Sequence, residues 1–156
     1  MKLNIRQVRK YEINDLADMW YELASMHEDI MEGYELSDDP KISWTSFIKE
    51  GMEKEGMVTF VAEKDGEIVG FVNTVLRQRP PFFKKRDIGL ILDLFVKEEE
   101  RGKGIGSTLV GAAESWIKNR GVNLAILTVS PVNQTALDFW NERGYATYLE
   151  KKRKEL

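Results

Sequence analysis

The 156-residue sequence contains no cysteine and one histidine, His27. The absence of cysteine excludes disulfides, thiolate metal sites and a cysteine nucleophile, and it fits a reducing compartment. A single histidine excludes a histidine-rich metal cluster, so no metal is expected. No apolar run approaches the roughly 20 residues that a membrane helix requires, and the basic N-terminus lacks the following apolar stretch of a signal peptide. We therefore expect a cytoplasmic protein with no membrane partner.

Excess positive charge is also missing. The chain carries 23 basic and 26 acidic residues, a net charge of −3, which argues against a nucleic-acid partner or binding to an anionic membrane. Hydrophobic residues make up 42% of the chain, enough for one core. Since no linker, repeat or low-complexity segment interrupts the sequence, we predict a single domain over residues 1–156.

The hydrophobic pattern predicts alternating strands and helices. Asn14 is predicted to cap the first helix and Asp39-Pro40 to begin the second. Continuous apolar runs predict buried strands at Leu90–Val96 and Leu124–Val129, and a last strand is expected from Tyr145. The predicted order is β-α-α-β-β-β-α-β-α-β. This order indicates an α/β protein with three α/β/α layers and a mixed sheet, antiparallel first and partly parallel later.

A glycine-rich turn stands between the central strand and the following helix. Its sequence, Arg101-Gly102-Lys103-Gly104-Ile105-Gly106, ends where an amphipathic helix begins. Glycines let the backbone pass close to a ligand, and the amides of a helix N-terminus favour an anion. With two cations beside them, residues 101–107 are predicted to bind a phosphate or pyrophosphate.

Two common phosphate-binding motifs do not fit this turn. A Rossmann fingerprint needs a third glycine at position 107, which is Ser107, and no window supplies the Gly-Lys-Ser/Thr of a P-loop. The alternative is a glycine-rich turn between strand and helix that binds no ligand.

The pattern Arg101-x-x-Gly104-x-Gly106 resembles the acyl-CoA signature of the GCN5-related N-acetyltransferase (GNAT) family. A second stretch, Asn133-x-x-Ala136-x-x-Phe139-Trp140-x-x-x-Gly144-Tyr145, resembles that family's second signature. The two motifs occur in the family's order, and the predicted element order is also that of the family. The resemblance therefore covers nearly the whole chain and implies the acyl-CoA N-acyltransferase (GNAT) fold with acetyl-CoA as co-substrate.

The resemblance implies roles for residues along the coenzyme. The pantetheine arm would lie beside Leu94, Phe95 and Val96, and the Phe95 amide is expected to act as the oxyanion donor. Asn133 is expected to bind pantetheine, to cap its helix, or to do both. The residues expected to bind the pyrophosphate are Arg101, Gly102, Lys103, Gly104, Ile105, Gly106 and Ser107.

Two positions depart from the family pattern. Trp140 stands where the family has a tyrosine that protonates the departing thiolate, and an indole cannot give up a proton near neutral pH. Trp140 is expected to line the thiol pocket or to pack in the core. Leu92 stands where several members have a glutamate. Asp93 follows it, and a carboxylate in an apolar strand is either catalytic or anchors a neighbouring group. Because strand side chains alternate, Leu92 and Asp93 are expected to face opposite sides.

The first helical region is implied to form the acceptor side. His27, Glu28 and Tyr34 are predicted to bind the substrate, while a half-buried structural histidine is the alternative for His27. The predicted reaction is acetyl transfer from acetyl-CoA to a primary amine, on a small molecule or a protein, by direct attack in a ternary complex. A non-catalytic acyl-CoA-binding or sensor domain is the alternative, and a nucleotide-binding regulator is a third reading. Since homodimers are common among such folds, a homodimer is left open.

Overall fold

The computed structural model describes residues 2–54 and 56–156 and contains a mixed sheet with helices on both faces. The helices are α1 (Ile13–Ile30), α2 (Pro40–Met52), α3 (Ile105–Asn119) and α4 (Gln134–Glu142). The strands are β1 (Leu3–Gln7), β2 (Met57–Lys64), β3 (Glu67–Gln78), β4 (Asp87–Val96) and β5 (Ala125–Ile126). Short 3-10 turns occupy Lys10–Glu12 and Glu98–Glu100.

The five strands lie in the order β1-β2-β3-β4-β5. The first four are antiparallel to their neighbours, and β5 runs parallel to β4. Between β2 and β3, Asp65 and Gly66 both have positive φ, at 52° and 85°, as a two-residue hairpin of type I′ requires. The predicted α/β class and mixed sheet are confirmed.

Two hydrophobic clusters hold helices against opposite faces of the sheet. One packs α1 and α2 on the face that carries Phe71 and Phe95. The other packs α3 on the face that carries Val72 and Ile91. β4 contributes side chains to both clusters. Groups on this strand can therefore face either layer of helices.

Three local expectations differ from the structure. Residues 145–156 form no regular element, so the predicted last strand is absent; this tail is dominated by exposed charged residues that cannot cover a sheet. The parallel strand is shorter than expected, at Ala125–Ile126. Helix α1 begins at Ile13 rather than after Asn14, because the Glu12 carboxylate accepts from the Arg9 amide and closes a 3-10 turn just before it.

Within residues 2–54 and 56–156, no helix is both long enough and apolar enough to cross a membrane.

Candidate active site

The glycine turn is open at two of its three glycines. Gly102 and Gly104 have φ of 78° and 84°, and a Cβ added at either would meet no heavy atom within 4 Å. Gly104 is the N-cap of α3, so its left-handed backbone ends the turn where the helix amides begin. Gly106 serves another purpose, because its Cβ would lie 3.2 Å from the Phe139 ring. The first two glycines leave room for an anion, and the third lets α4 pack on α3.

Two cations, Arg101 and Lys103, belong to this turn, and the glutamates Glu98–Glu100 directly precede it. The first turn of α3 contains no acidic residue, so nothing there opposes an anion at the helix N-terminus. Lys103 Nζ lies 3.4 Å from Glu100 Oε2, and the same oxygen lies 2.6 Å from Lys64 Nζ. Lys64 lowers the pKa of Glu100 and so keeps this carboxylate ionised. Lys103 is therefore held beside the turn rather than over its open glycines.

The outer edge of β4 leaves its last backbone groups unpaired with another strand. Pairing with β5 covers Gly89 and Leu90 and ends there. The Lys97 amide donates to Val69 on β3. Because amides alternate sides along a strand, the Phe95 amide also faces β3, and those of Leu94 and Val96 face outward. The outward Val96 carbonyl accepts a 2.7 Å hydrogen bond from Arg101 Nε.

The remaining residues implied to bind CoA lie around this edge. Ile105 is buried in the α3 core, so its backbone alone is available. Ser107 Oγ contacts the Arg143 guanidinium. Asn133 Oδ1 accepts from the Ala136 amide at 3.1 Å and therefore caps α4. Trp140 packs edge-on between Phe139 and Tyr145, at centroid distances of 5.0 and 5.2 Å.

Asp93 follows a β-bulge in β4. Asn73 on β3 pairs with Asp93, whereas the next residue, Thr74, pairs with Ile91, so Leu92 is the extra residue. The alternation expected for Leu92 and Asp93 is interrupted at this point, and Leu92 is 39% exposed. The bulge brings Asp93 onto the face that is covered by α1 and α2.

A polar ladder crosses three strands at the level of Asp93. Thr59 Oγ1 donates to Asn73 Oδ1 at 2.5 Å, and Asn73 Nδ2 donates to Asp93 Oδ2 at 2.9 Å. Thr59 and Asn73 are buried, at 2% and 0% exposure. Because the amide of Asn73 is fixed from both sides, it holds the carboxylate of Asp93 in one orientation.

Burial raises the pKa of Asp93, against the opposing effects of the Asn73 hydrogen bond, the Trp44 indole and the His27 charge. The buried Trp44 Nε1 is directed at this carboxylate but makes no hydrogen bond of normal geometry. Burial also lowers the pKa of His27, so the imidazole favours its neutral form. The cluster thus contains a carboxylate that takes up a proton more readily than a solvated aspartate.

The three residues predicted on the acceptor side lie in different surroundings. His27, on α1, is half-buried and close enough to Asp93 to interact electrostatically. Glu28 Oε2 accepts from the Leu36 amide at 2.7 Å and fixes the connection between α1 and α2. Tyr34, on that connection, is 52% exposed. The structure therefore brings His27 to Asp93 and gives Glu28 a positioning contact.

Sequence reasoning missed Thr59 and Asn73. The available signal was the polar Asn73 within the apolar stretch Ile68–Leu76, the same kind of exception that drew attention to Asp93. Pairing it with Asp93 required the strand register, and the bulge at Leu92 shifts that register by one residue.

Comparison with known proteins gives consistent results. The model of the acetyltransferase (GNAT) family matches residues 20–145. An uncharacterized N-acetyltransferase of Methanocaldococcus jannaschii is 27% identical over 90% of this chain, which spans 59% of that relative's length. An uncharacterized N-acetyltransferase of Archaeoglobus fulgidus is 31% identical, and the match covers 88% of this chain and 89% of that relative's length. An aminoglycoside N-acetyltransferase solved with CoA has a TM-score of 0.80 at 18% identity, covering 99% of this chain and 96% of its own.

Proposed function

Because the chain belongs to the acetyltransferase (GNAT) family, we propose that it transfers the acetyl group of acetyl-CoA to a primary amine by direct attack within a ternary complex. The observation that carries this proposal is the position of the open glycine turn beside an edge of β4 that pairs with no strand beyond Leu90, with the half-buried carboxylate of Asp93 on the same strand. Acetyl-CoA supplies the acyl group and a thiolate leaving group.

The glycine turn provides the coenzyme site. Gly102 and Gly104 leave space for the diphosphate, and the amides from Gly102 to Ser107 are the donors that would hold it. Arg101 and Lys103 add positive charge on either side. The outward amides of Leu94 and Val96 face the side on which the pantetheine would lie as an added strand, whereas the Val96 carbonyl already accepts from Arg101.

We infer the oxyanion donor from the direction of the backbone amides of β4. The Phe95 amide faces β3, so it is not free to reach a thioester at the outer edge. Leu94 presents its amide outward and precedes the Val96 carbonyl that Arg101 contacts. We therefore assign the oxyanion donor to Leu94 instead of Phe95, whose side chain packs in the core.

Asp93 is proposed as the proton acceptor. A lysine-like amine with a pKa of about 10.4 pays about 4.6 kcal/mol to become neutral at pH 7, whereas an α-amine with a pKa near 8 pays about 1.4 kcal/mol. Burial raises the pKa of Asp93 and brings it nearer to that of the amine, which favours proton transfer. Asn73 orients the carboxylate, and burial lowers the pKa of the neighbouring His27.

The leaving thiolate is proposed to depart without a tyrosine acid. Trp140 occupies the corresponding position and can donate a hydrogen bond but no proton. A thiol with a pKa of about 8.5 is a tolerable anionic leaving group. As the chain has no cysteine, the amine attacks the thioester carbon directly, the C–S bond breaks, and the proton lost by the amine passes to Asp93.

A panel of amines tests the proposal. The protein is mixed with acetyl-CoA and each amine, free thiol is measured over time, and the acetylated product is identified by mass spectrometry. Steady thiol release with acetylated amine is expected. Tight acetyl-CoA binding with no turnover across the panel would instead support the sensor function, and preference for ATP or NAD over CoA in a thermal-shift screen would support a nucleotide-binding regulator.

A further inference from the structure

A cavity of about 320 Å³ lies where α1, the connection 31–39 and α2 meet. Its walls are mainly aromatic and apolar, with one carboxylate. They include Trp20, Glu35, Leu36, Pro40, Trp44 and Phe47. We propose that this cavity binds a second ammonium group of the acceptor, so that the preferred substrates are diamines or polyamines. The inference rests on the proposed function, because it assigns the acceptor of the same reaction.

The lining has the chemistry that recognises an organic cation. Trp20 and Trp44 stack with their centroids 5.4 Å apart and their planes 14° from parallel, so a ligand meets only the surfaces of this pair that are turned away from each other. Phe47, 47% exposed, lines another side. Aromatic faces attract alkylammonium groups, while the hydrocarbon of the ligand packs on the same rings. Glu35 is the one charged residue in the lining, so the cavity favours a cation over an anion.

Glu35 keeps its negative charge. Its carboxylate accepts from the Gly33 amide at 3.2 Å, and backbone hydrogen bonds lower its pKa. Arg153 acts on Glu35 from the C-terminal tail, but its guanidinium contacts the Glu32 carbonyl and lies 3.7 Å from the Glu32 carboxylate. Glu35 is therefore available as the counterion of a ligand.

The cavity lies next to the proposed reacting centre, with Trp44 between the two. Glu28 holds the Leu36 amide and so fixes the wall formed by the connection. Trp44 lines the cavity with its rings and is also close enough to lower the pKa of Asp93. A diamine that spans Trp44 would place one nitrogen near Asp93 and the other among the aromatic rings.

The test compares diamines with monoamines of equal chain length, using the intact protein and the variants Glu35→Gln and Glu32→Gln. Glu32 lies on the same connection but outside the lining, so it controls for charge and for the contact with Arg153. We expect diamines to have about tenfold higher kcat/KM than the matched monoamines. Glu35→Gln should remove this preference by raising KM for diamines, with monoamine kinetics and acetyl-CoA affinity unchanged, and Glu32→Gln should keep the preference.

The outcomes separate the subsite from the proposed function. Turnover of monoamines and diamines at equal kcat/KM, or an equal effect of Glu35→Gln on both, would overturn the subsite and leave the acetyltransferase activity standing. Calorimetric titration with the diamines gives a readout that needs no turnover. Binding that weakens in Glu35→Gln would support the subsite even if no amine were acetylated, and absence of binding together with absence of turnover would overturn both.

Discussion

The two sides of β4 contribute different kinds of groups to the proposed site. On the proposed coenzyme side, these are backbone amides at the glycine turn and outward backbone groups at the strand edge. On the proposed acceptor side, they are side chains fixed by other side chains, from Thr59 through Asn73 to Asp93. The backbone groups depend on where the chain can bend, and the side-chain contacts depend on which residues the strand register brings together.

This difference predicts different responses to mutation. A backbone site tolerates changes of side chain unless the new group fills the space or strains the turn. A buried polar ladder depends on each member, because removing one partner leaves another buried group unsatisfied. Substitutions on the two sides should therefore be separable by measuring acetyl-CoA affinity and turnover independently.

The largest effect is expected at the glycine turn. Gly104→Glu places a side chain and a negative charge in the open space in front of α3, at a φ of 84° that only glycine adopts freely. Acetyl-CoA affinity should fall more than about a thousandfold, equivalent to about 4 kcal/mol, as measured by calorimetric titration.

Gly121→Glu is the matched control for that variant. Gly121 follows the other end of α3, has a φ of 76°, and likewise has no atom within 4 Å of an added Cβ. It should incur similar backbone strain while leaving acetyl-CoA affinity unchanged. Equal losses in the two variants would mean that strain in α3, and not occupation of the turn, weakens binding.

The contrast also explains how much the sequence could reveal. The turn was predictable because its glycines and cations are consecutive, and Asp39-Pro40 starts α2 as predicted for the same reason. The oxyanion donor that we propose could not be chosen from the sequence, because the choice between Leu94 and Phe95 depends on which amide faces β3. Asn73 lies 20 residues from Asp93, and only the bulged register shows that they meet.

The second prediction concerns Asp93→Asn. Loss of the proposed proton acceptor should lower kcat by about a hundredfold, with acetyl-CoA affinity kept, because the proposed coenzyme site lies at the glycine turn and the edge of β4. Stability should change in the opposite direction. Burial raises the pKa of Asp93 above its ordinary value of 3.8, so the folded state binds more protons in that window and stability falls as the pH rises through it. The neutral side chain should therefore raise the free energy of unfolding at pH 7 by about 1 kcal/mol.

Steady-state kinetics measures the predicted loss of kcat, and urea unfolding measures the predicted gain in stability. Higher stability with unchanged kcat would show that Asp93 is a structural anchor, which was the alternative for this residue. In the parent protein, kcat/KM should decrease as the pH falls through the raised pKa of Asp93, and this acid limb should be absent in Asp93→Asn.

The third prediction tests the support of the acceptor side. Glu12 immediately precedes α1 and binds Arg6 through two hydrogen bonds of 2.9 and 2.7 Å. Arg6 lowers the pKa of Glu12 from 4.5 to about 2, so this stabilisation is complete above pH 4.5 and is lost as the pH falls towards 2. Glu12→Gln should cost about 2 kcal/mol at pH 7 and raise acceptor KM more than it changes acetyl-CoA affinity.

Glu53→Gln is the control for the loss of an ion pair. Its partner is Lys10, in the 3-10 turn that also contains Glu12. Because the Glu53 carboxylate is 67% exposed, no measurable change in the free energy of unfolding is expected. Equal destabilisation by the two variants would indicate that total charge near α1, and not the buried Arg6–Glu12 pair, supports the helix.

The smallest effect is expected from Asn73→Leu, which keeps the branched shape of the side chain and removes its hydrogen bond to Asp93. Because this bond lowers the pKa of Asp93 against the effect of burial, its loss should move the acid limb of kcat/KM upward by about half a pH unit to one unit. Thr74→Val is the matched control, since the adjacent Thr74 is equally buried and its Oγ1 has no hydrogen-bond partner among residues 2–54 and 56–156. It lies on the α3 side of the same strand and should leave the pH profile unchanged. A shift of equal size in both variants would mean that packing of β3, and not the polar ladder, sets the pKa of Asp93. Substitutions on the two faces of β3 would then have the same effect, and the proposed distinction between the two sides of the site would be wrong.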